Sequence, residues 1–294
     1  MRGLALAMFA LELAGCGGMA GSPPSPTPNP TPIPGLTVAS SVSALVLVSG
    51  LQTPDDIAVA PDGTVYISDE SRGALSAWTP ATGQVRLVAG ALSHPEGIVV
   101  LDGALVVCEQ GKNQLSRVDP RDGSVALFRA LSNATHKLGV DGLAFDPIDS
   151  SVVVPDSPNG TLLRVSEDGK TAMPIPVSGR QPPFVRPTGA FVLRDGTLLV
   201  ADEAAGDVVL LRADGTSQTL VSGLNAPDDV LGDDQGNVYV NTVGDGVLHR
   251  LQGTNHQLLI TGLRSPHGLA FDLDGNVLVT DFAGGGRLVK VFVR

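Results

Sequence analysis

The stretch Pro54–Glu70, PDDIAVAPDGTVYISDE, decides the fold of this 294-residue chain. It opens on Pro and an acid, runs apolar through Ile57 to Ala60, turns at Asp62-Gly63 and runs again through Val65 to Ser68. Asp-Gly between two such runs signals a hairpin, because Gly tolerates the positive φ that a tight turn requires. The unit returns as PEGIVVLDGALVVCEQ from Pro95, VDGLAFDPIDSSVVVPDS from Val140 and PTGAFVLRDGTLLVADE from Pro187. It closes with PDDVLGDDQGNVYVNTV from Pro227 and PHGLAFDLDGNVLVTDF from Pro266. Pro54 to Pro95 is 41 residues, Pro187 to Pro227 is 40 and Pro227 to Pro266 is 39. A period of about 40 residues built from short strands predicts an all-β, six-bladed β-propeller.

Working outward, the first blade continues with strands through Leu75–Trp78 and Val85–Ala89, separated by Thr82-Gly83. The same frame fits the next blades, with turns at Asp122-Gly123, Asp168-Gly169 and Asp214-Gly215. The sixth is short by one strand, since Leu288–Val293 runs into the C-terminus. LVLVSGLQTP (Leu45–Pro54) matches the outer-strand exits TLVSGLNAP and LLITGLRSP of later blades. An N-terminal strand is therefore expected to complete blade six and remove the exposed sheet edges.

Composition agrees: 43% hydrophobic residues and 36 Gly supply strands and turns, with only 4% aromatics. The net charge of −11 argues against nucleic acid, whose phosphates demand a basic surface. The first 35 residues fall outside the repeats. Arg2 precedes the mostly apolar LALAMFALEL, and Leu13-Ala14-Gly15-Cys16 closes the segment, which is too short to span a bilayer by itself. The Pro-rich run to Gly35 is a semi-rigid spacer. The expected organisation is 1–15 signal peptide, 16–35 tether and 36–294 propeller. Cys108 then stands alone within a strand and reads as a structural core residue.

Two resemblances follow from these residues. The Leu13–Cys16 segment resembles a bacterial lipoprotein signal, which implies acylation of Cys16, export and membrane attachment through the lipid alone at the cell envelope. The repeats resemble NHL repeats and the related senescence-marker/gluconolactonase propellers over residues 43–294. That group implies a six-bladed fold and includes lactone hydrolases, lyases and binding proteins. Its lactonases hold a metal at the inner ring with a Glu, an Asn and an Asp. The corresponding places here are Glu96, Asp141 and Asp228, with Asp55 on the substrate side; none is Asn.

The candidate site is read from the residue after each opening Pro or Val: Asp55, Glu96, Asp141, Thr188, Asp228 and His267. In a propeller these converge on one mouth of the central channel. Four carboxylates and an imidazole would gather there, and the like charges raise one another's pKa unless a cation balances them. Such a set suits one divalent metal, Ca²⁺ if oxygen-rich or Zn²⁺ if His takes part. The competing reading is a hydrated mouth of Asx turns without metal. His94 and the long connections 132–139 and 178–187, carrying His136, Lys137, Arg180 and Arg186, fall on the same face and are expected to meet a ligand. A second series, Asp69, Glu109, Asp156, Asp202 and Asp281 with Thr242 in the fifth place, reads as loop anchors. Two functions remain: an envelope-anchored propeller binding a protein or small ligand at the mouth, or a metal-dependent lactone or ester hydrolase with Glu96 or Asp141 as base.

Overall fold

The computed structural model describes residues 32–132, 139–282 and 285–294. Six antiparallel sheets radiate from a central channel, and each begins innermost with one repeat. Blade one is Pro54–Val59, Val65–Asp69, Ala74–Thr79 and Gln84–Ala89, from the channel outward. The second strand of a blade is buried on both faces, as in Val65–Asp69, Ala104–Glu109 and Leu198–Asp202, because neighbouring blades cover it from either side. The outermost strands are wet: Gln84–Ala89 exposes its first four residues.

Blade six closes as the sequence requires. Ser43–Ser49 pairs antiparallel with Arg287–Phe292, outside Val277–Asp281 and the innermost Leu269–Phe271. A feature the repeats do not announce lies next door. Thr37–Val38 adds a fifth strand to blade five, pairing with Asn255–Thr261. Ile33, three residues before the expected start of the propeller, is buried in the core shared by blades five and six. Cys16, the signal segment and most of the tether lie outside the described residues.

Among the described residues the apolar core is divided into six clusters, one at each blade–blade interface. Ile98, Leu105 and Val107 meet Leu75 and Ala77 between blades one and two. The ring is sealed where Ile57, Val65 and Trp78 of blade one meet Ala270, Leu278 and Leu288 of blade six. Each interface buries apolar surface that a single four-stranded sheet would leave wet, so no blade is stable without its neighbours.

At the channel the blades touch through backbone. The N–H of Gly97 donates to the Asp141 carbonyl at 3.0 Å, Gly142 to Thr188 at 2.9 Å and Gly268 to Asp55 at 2.9 Å. A Cβ on Gly142 would come within 2.4 Å of the Thr188 carbonyl oxygen. Gly142→Ala should therefore lower stability by about 1–3 kcal/mol through overpacking, measured as a shift of the urea midpoint with an unchanged slope. A chain lacking residues 32–49 should lose the outer strand of blade six and unfold at lower temperature in calorimetry, with a greater tendency to aggregate.

Candidate functional site

The first residue pair of each innermost strand lines one mouth of the channel, and the blade behind it fixes its height. The ring residues' carbonyls are gripped by side chains of the preceding blade: Thr280 donates to Asp55 O at 2.6 Å, Asn241 to His267 O at 2.6 Å and Thr188 to Asp228 O at 2.8 Å. Cys108 Sγ donates to Asp141 O. Cys108 is thus a buried donor in this grip, and burial pushes its thiol pKa up, away from nucleophilic use.

The structure brings Asp55, Glu96, Asp141, Asp228 and His267 together at this mouth. The four acids are 6–9% exposed. His267 Nδ1 faces Asp228 Oδ2 at 3.3 Å and Asp55 Oδ2 at 3.6 Å, and its ring stacks on Phe282 with centroids 5.0 Å apart. Glu96 accepts from Gln110 Nε2 at 2.6 Å and shares a hydrogen bond with Asp141. Arg186 is a member of the ring in all but sequence position: its guanidinium lies 2.8 Å from Asp141 Oδ2 and also binds Glu203. Asp202 holds the loop that delivers it, accepting the backbone N–H of Val185 at 3.0 Å and of Arg186 at 2.8 Å.

Electrostatics follow from burial. Desolvation raises Asp55 to about 8, with Asp141 and Asp228 adding to the effect and His267 opposing it. Asp141 is raised only to about 6, because Arg186 and His267 partly offset its burial and the neighbouring Asp228. Burial drives Glu96 far above the carboxylate range, and the nearby acids push the same way. His267 is desolvated, which disfavours its charge, yet Asp55 and Asp228 outweigh this and hold the imidazolium up to about 10.

Burial and the neighbouring acids favour the protonated form of Glu96, which donates rather than accepts a proton. Arg180 pairs with Asp202 and Asp207, each within 3.3 Å, and lies over the Phe184 ring. Thr188 is 1% exposed, its hydroxyl committed to the Asp228 carbonyl. His94 is exposed at the entry of blade two, while His136 and Lys137 lie outside the described residues. The expected metal does not fit. Among the described residues no three His, Cys, Asp or Glu side chains are arranged to hold one. The physical reason is that the acids already have cations: an imidazolium between Asp55 and Asp228, and a guanidinium on Asp141.

Two further acids at the mouth escape a reading of the ring positions alone. Asp56 and Asp229 stand where the other innermost strands carry Gly, a difference visible when the PDD openings of blades one and five are set beside PEG or PHG. Each bridges to the next blade: Asp56 accepts from Ile98 N at 3.0 Å and Asp229 from Leu269 N at 2.8 Å. Burial raises both, Asp229 to about 8. Beyond them the channel widens into an apolar cavity of about 370 Å³, walled by residues such as Ile57, Leu143, Phe191 and Phe271. The second acidic series is structural. Glu109 accepts the Ser93 N–H at 2.8 Å and Asp281 the Arg264 N–H, each fastening the loop that enters its own blade.

A closed six-bladed propeller with a charged channel mouth is the class these features define. Residues 45–255 match the family described as outer membrane protein assembly factor BamB, and the chain belongs to that family. A search of curated proteins finds none that matches. Among solved structures, a gluconolactonase from Xanthomonas campestris is 19% identical with a TM-score of 0.68, covering 87% of this chain and 91% of its own. A calcium-binding regucalcin from Agrobacterium tumefaciens is 14% identical with a TM-score of 0.70, covering 86% and 96%. A virginiamycin B lyase from Staphylococcus aureus, described as catalytically inactive with one His replaced by Ala, is 14% identical with a TM-score of 0.64, covering 86% and 99%. At these identities the likeness is one of fold.

The ring sets the pH dependence of stability. The His267 contribution is complete below its ordinary value of 6.5 and is lost as pH rises through about 10. Raised carboxyls act in the same direction, because the folded state holds their protons more tightly than the unfolded chain does. Unfolding temperatures from calorimetry should therefore fall steadily from pH 6.5 to pH 10, and Asp229→Asn should make that fall shallower.

Proposed function

We propose that this propeller is exported, tethered to the cell envelope through lipidated Cys16, and binds a small polar ligand at its acidic channel mouth. The observation that carries the reading is the convergence of Asp55, Glu96, Asp141, Asp228, His267 and Arg186 on one concavity, with strongly shifted proton affinities. Clusters of that kind mark functional sites far more often than inert surface. The mixture of signs favours a ligand with several hydroxyls or an ammonium group beside an acceptor, such as an amino sugar or a short peptide amine. The family description, the Leu13–Cys16 segment and the Pro-rich spacer all support an envelope setting.

A second reading, catalysis at the same mouth, is favoured by one observation: a protonated carboxylic acid (Glu96) and an imidazole (His267) share the ring. No step in it runs through a metal, since the donor set does not fit one.

Calorimetric titration of the protein with amino sugars, sugars and small amines tests the binding reading. Saturable binding should weaken about tenfold or more in Asp228→Asn, the usual loss when one charge-assisted hydrogen bond is removed. Chelator should leave it unchanged. Failure of every ligand to bind, or equal binding by the Asp228→Asn protein, would remove the mouth as the site. Intact mass of the envelope-extracted protein should show acylation that is absent from Cys16→Ser.

A further inference from the structure

Ser265 and His267 flank Pro266 at the entry of blade six. Ser265 Oγ lies 3.0 Å from His267 Nε2, on the side of the ring opposite the acids. The other ring nitrogen, Nδ1, is the one that faces Asp228 at 3.3 Å and Asp55 at 3.6 Å. Stacking on Phe282, with the two rings 22° from parallel, restricts the imidazole's rotation. Neither residue is closed off: Ser265 is half-buried and the His267 side chain is 23% exposed.

The turn itself belongs to the fold. Ser265 has φ 55°, but so has Ala226, and His94 has φ 49°; all three precede the Pro that opens a blade. What is particular to blade six is that this position carries a hydroxyl beside an imidazole. A hydroxyl on one ring nitrogen and a carboxylate on the other is the arrangement that lets an imidazole take a proton from a nucleophile while the charge it gains is stabilised.

We propose that Ser265, His267 and Asp228 form a nucleophilic acyl-transfer site for small esters at the channel mouth, a reading that rests on the mouth admitting a small ligand. Ser265 Oγ attacks the ester carbonyl carbon, and its proton passes to His267 Nε2. The C–O bond to the alcohol then breaks, the proton on Nε2 goes to the departing alkoxide oxygen, and an acyl group remains on Ser265. Water repeats the sequence and releases the acid, restoring the hydroxyl. Asp228, with Asp55 beside it, orients the imidazole and balances the charge it carries. The surrounding acids favour esters whose other groups are hydroxylated or cationic.

The imidazole must be free of its proton to begin, so the full chain is incubated in alkaline buffer with an alkyl fluorophosphonate and, separately, with p-nitrophenyl acetate. The expected result is a stoichiometric adduct mapped to Ser265, with ester turnover. Turnover should drop by a factor of about 100 or more in Ser265→Ala and His267→Gln, and less in Asp228→Asn. In Ser265→Cys, alkylation by iodoacetamide should be faster than in Ser265→Cys/His267→Gln, a readout that survives if the alanine variant folds poorly. No adduct at Ser265, or turnover undiminished in Ser265→Ala, overturns the proposal. Calorimetric ligand titration of the parent chain separates the two readings. Binding retained without adduct in the parent chain removes the nucleophile alone, whereas loss of binding in the parent removes the mouth as well.

Discussion

Everything at the channel mouth depends on how the innermost strands are spaced, and that spacing is set by backbone carbonyls gripped across blade boundaries. The carbonyl of Asp55 is held by Thr280, that of His267 by Asn241 and that of Asp228 by Thr188, each bond short and buried or half-buried. Gly97, Gly142 and Gly268 allow the close approach, and their N–H groups supply further inter-blade bonds. A side chain whose own carbonyl is anchored in this way has little freedom in where it points. The acids are therefore presented to one another at distances they would not choose in water.

That enforced proximity is costly, and the ring offsets the cost in three ways. Burial favours the protonated form of Glu96, whose hydrogen bond to Asp141 leaves one charge fewer in the ring. His267 takes up a proton between Asp55 and Asp228. Arg186 enters from a loop to neutralise Asp141. Asp202, read from sequence as a loop anchor, fixes the backbone of that loop through the N–H groups of Val185 and Arg186, and so positions the guanidinium that faces Asp141. His267 and Arg186 thus supply the positive charge that the acids of the ring face.

The blades illustrate a second constraint. Six apolar clusters, each shared by two neighbours, mean that no sheet has a core of its own. Closure by Ser43–Ser49 against Arg287–Phe292 joins the two ends of the chain within one sheet. The extra strand Thr37–Val38 and buried Ile33 extend that hold on the N-terminal segment.

The chain by itself determined the architecture, because short strands with Asp-Gly turns and a 40-residue period are local signals that every repeat restates. It also determined which residues face one another at the mouth, since the position after each opening Pro maps onto a ring by symmetry alone. The anchoring role of Asp69, Glu109 and Asp281 was legible for the same reason. What only the tertiary structure decided was the chemistry of that ring. Arg186 joins it from a connection whose length breaks the repeat, Gln110 from the turn that follows a second strand, and Asp56 and Asp229 by replacing Gly. Ser265 meets His267 through a left-handed turn that no spacing rule marks as different from those at His94 and Ala226. Proton affinities were beyond the sequence as well: they follow from burial and from distances between blades far apart along the chain. Local pattern repeats, and so can be read; charge balance is a property of the assembled ring, and exists only once the ring has closed.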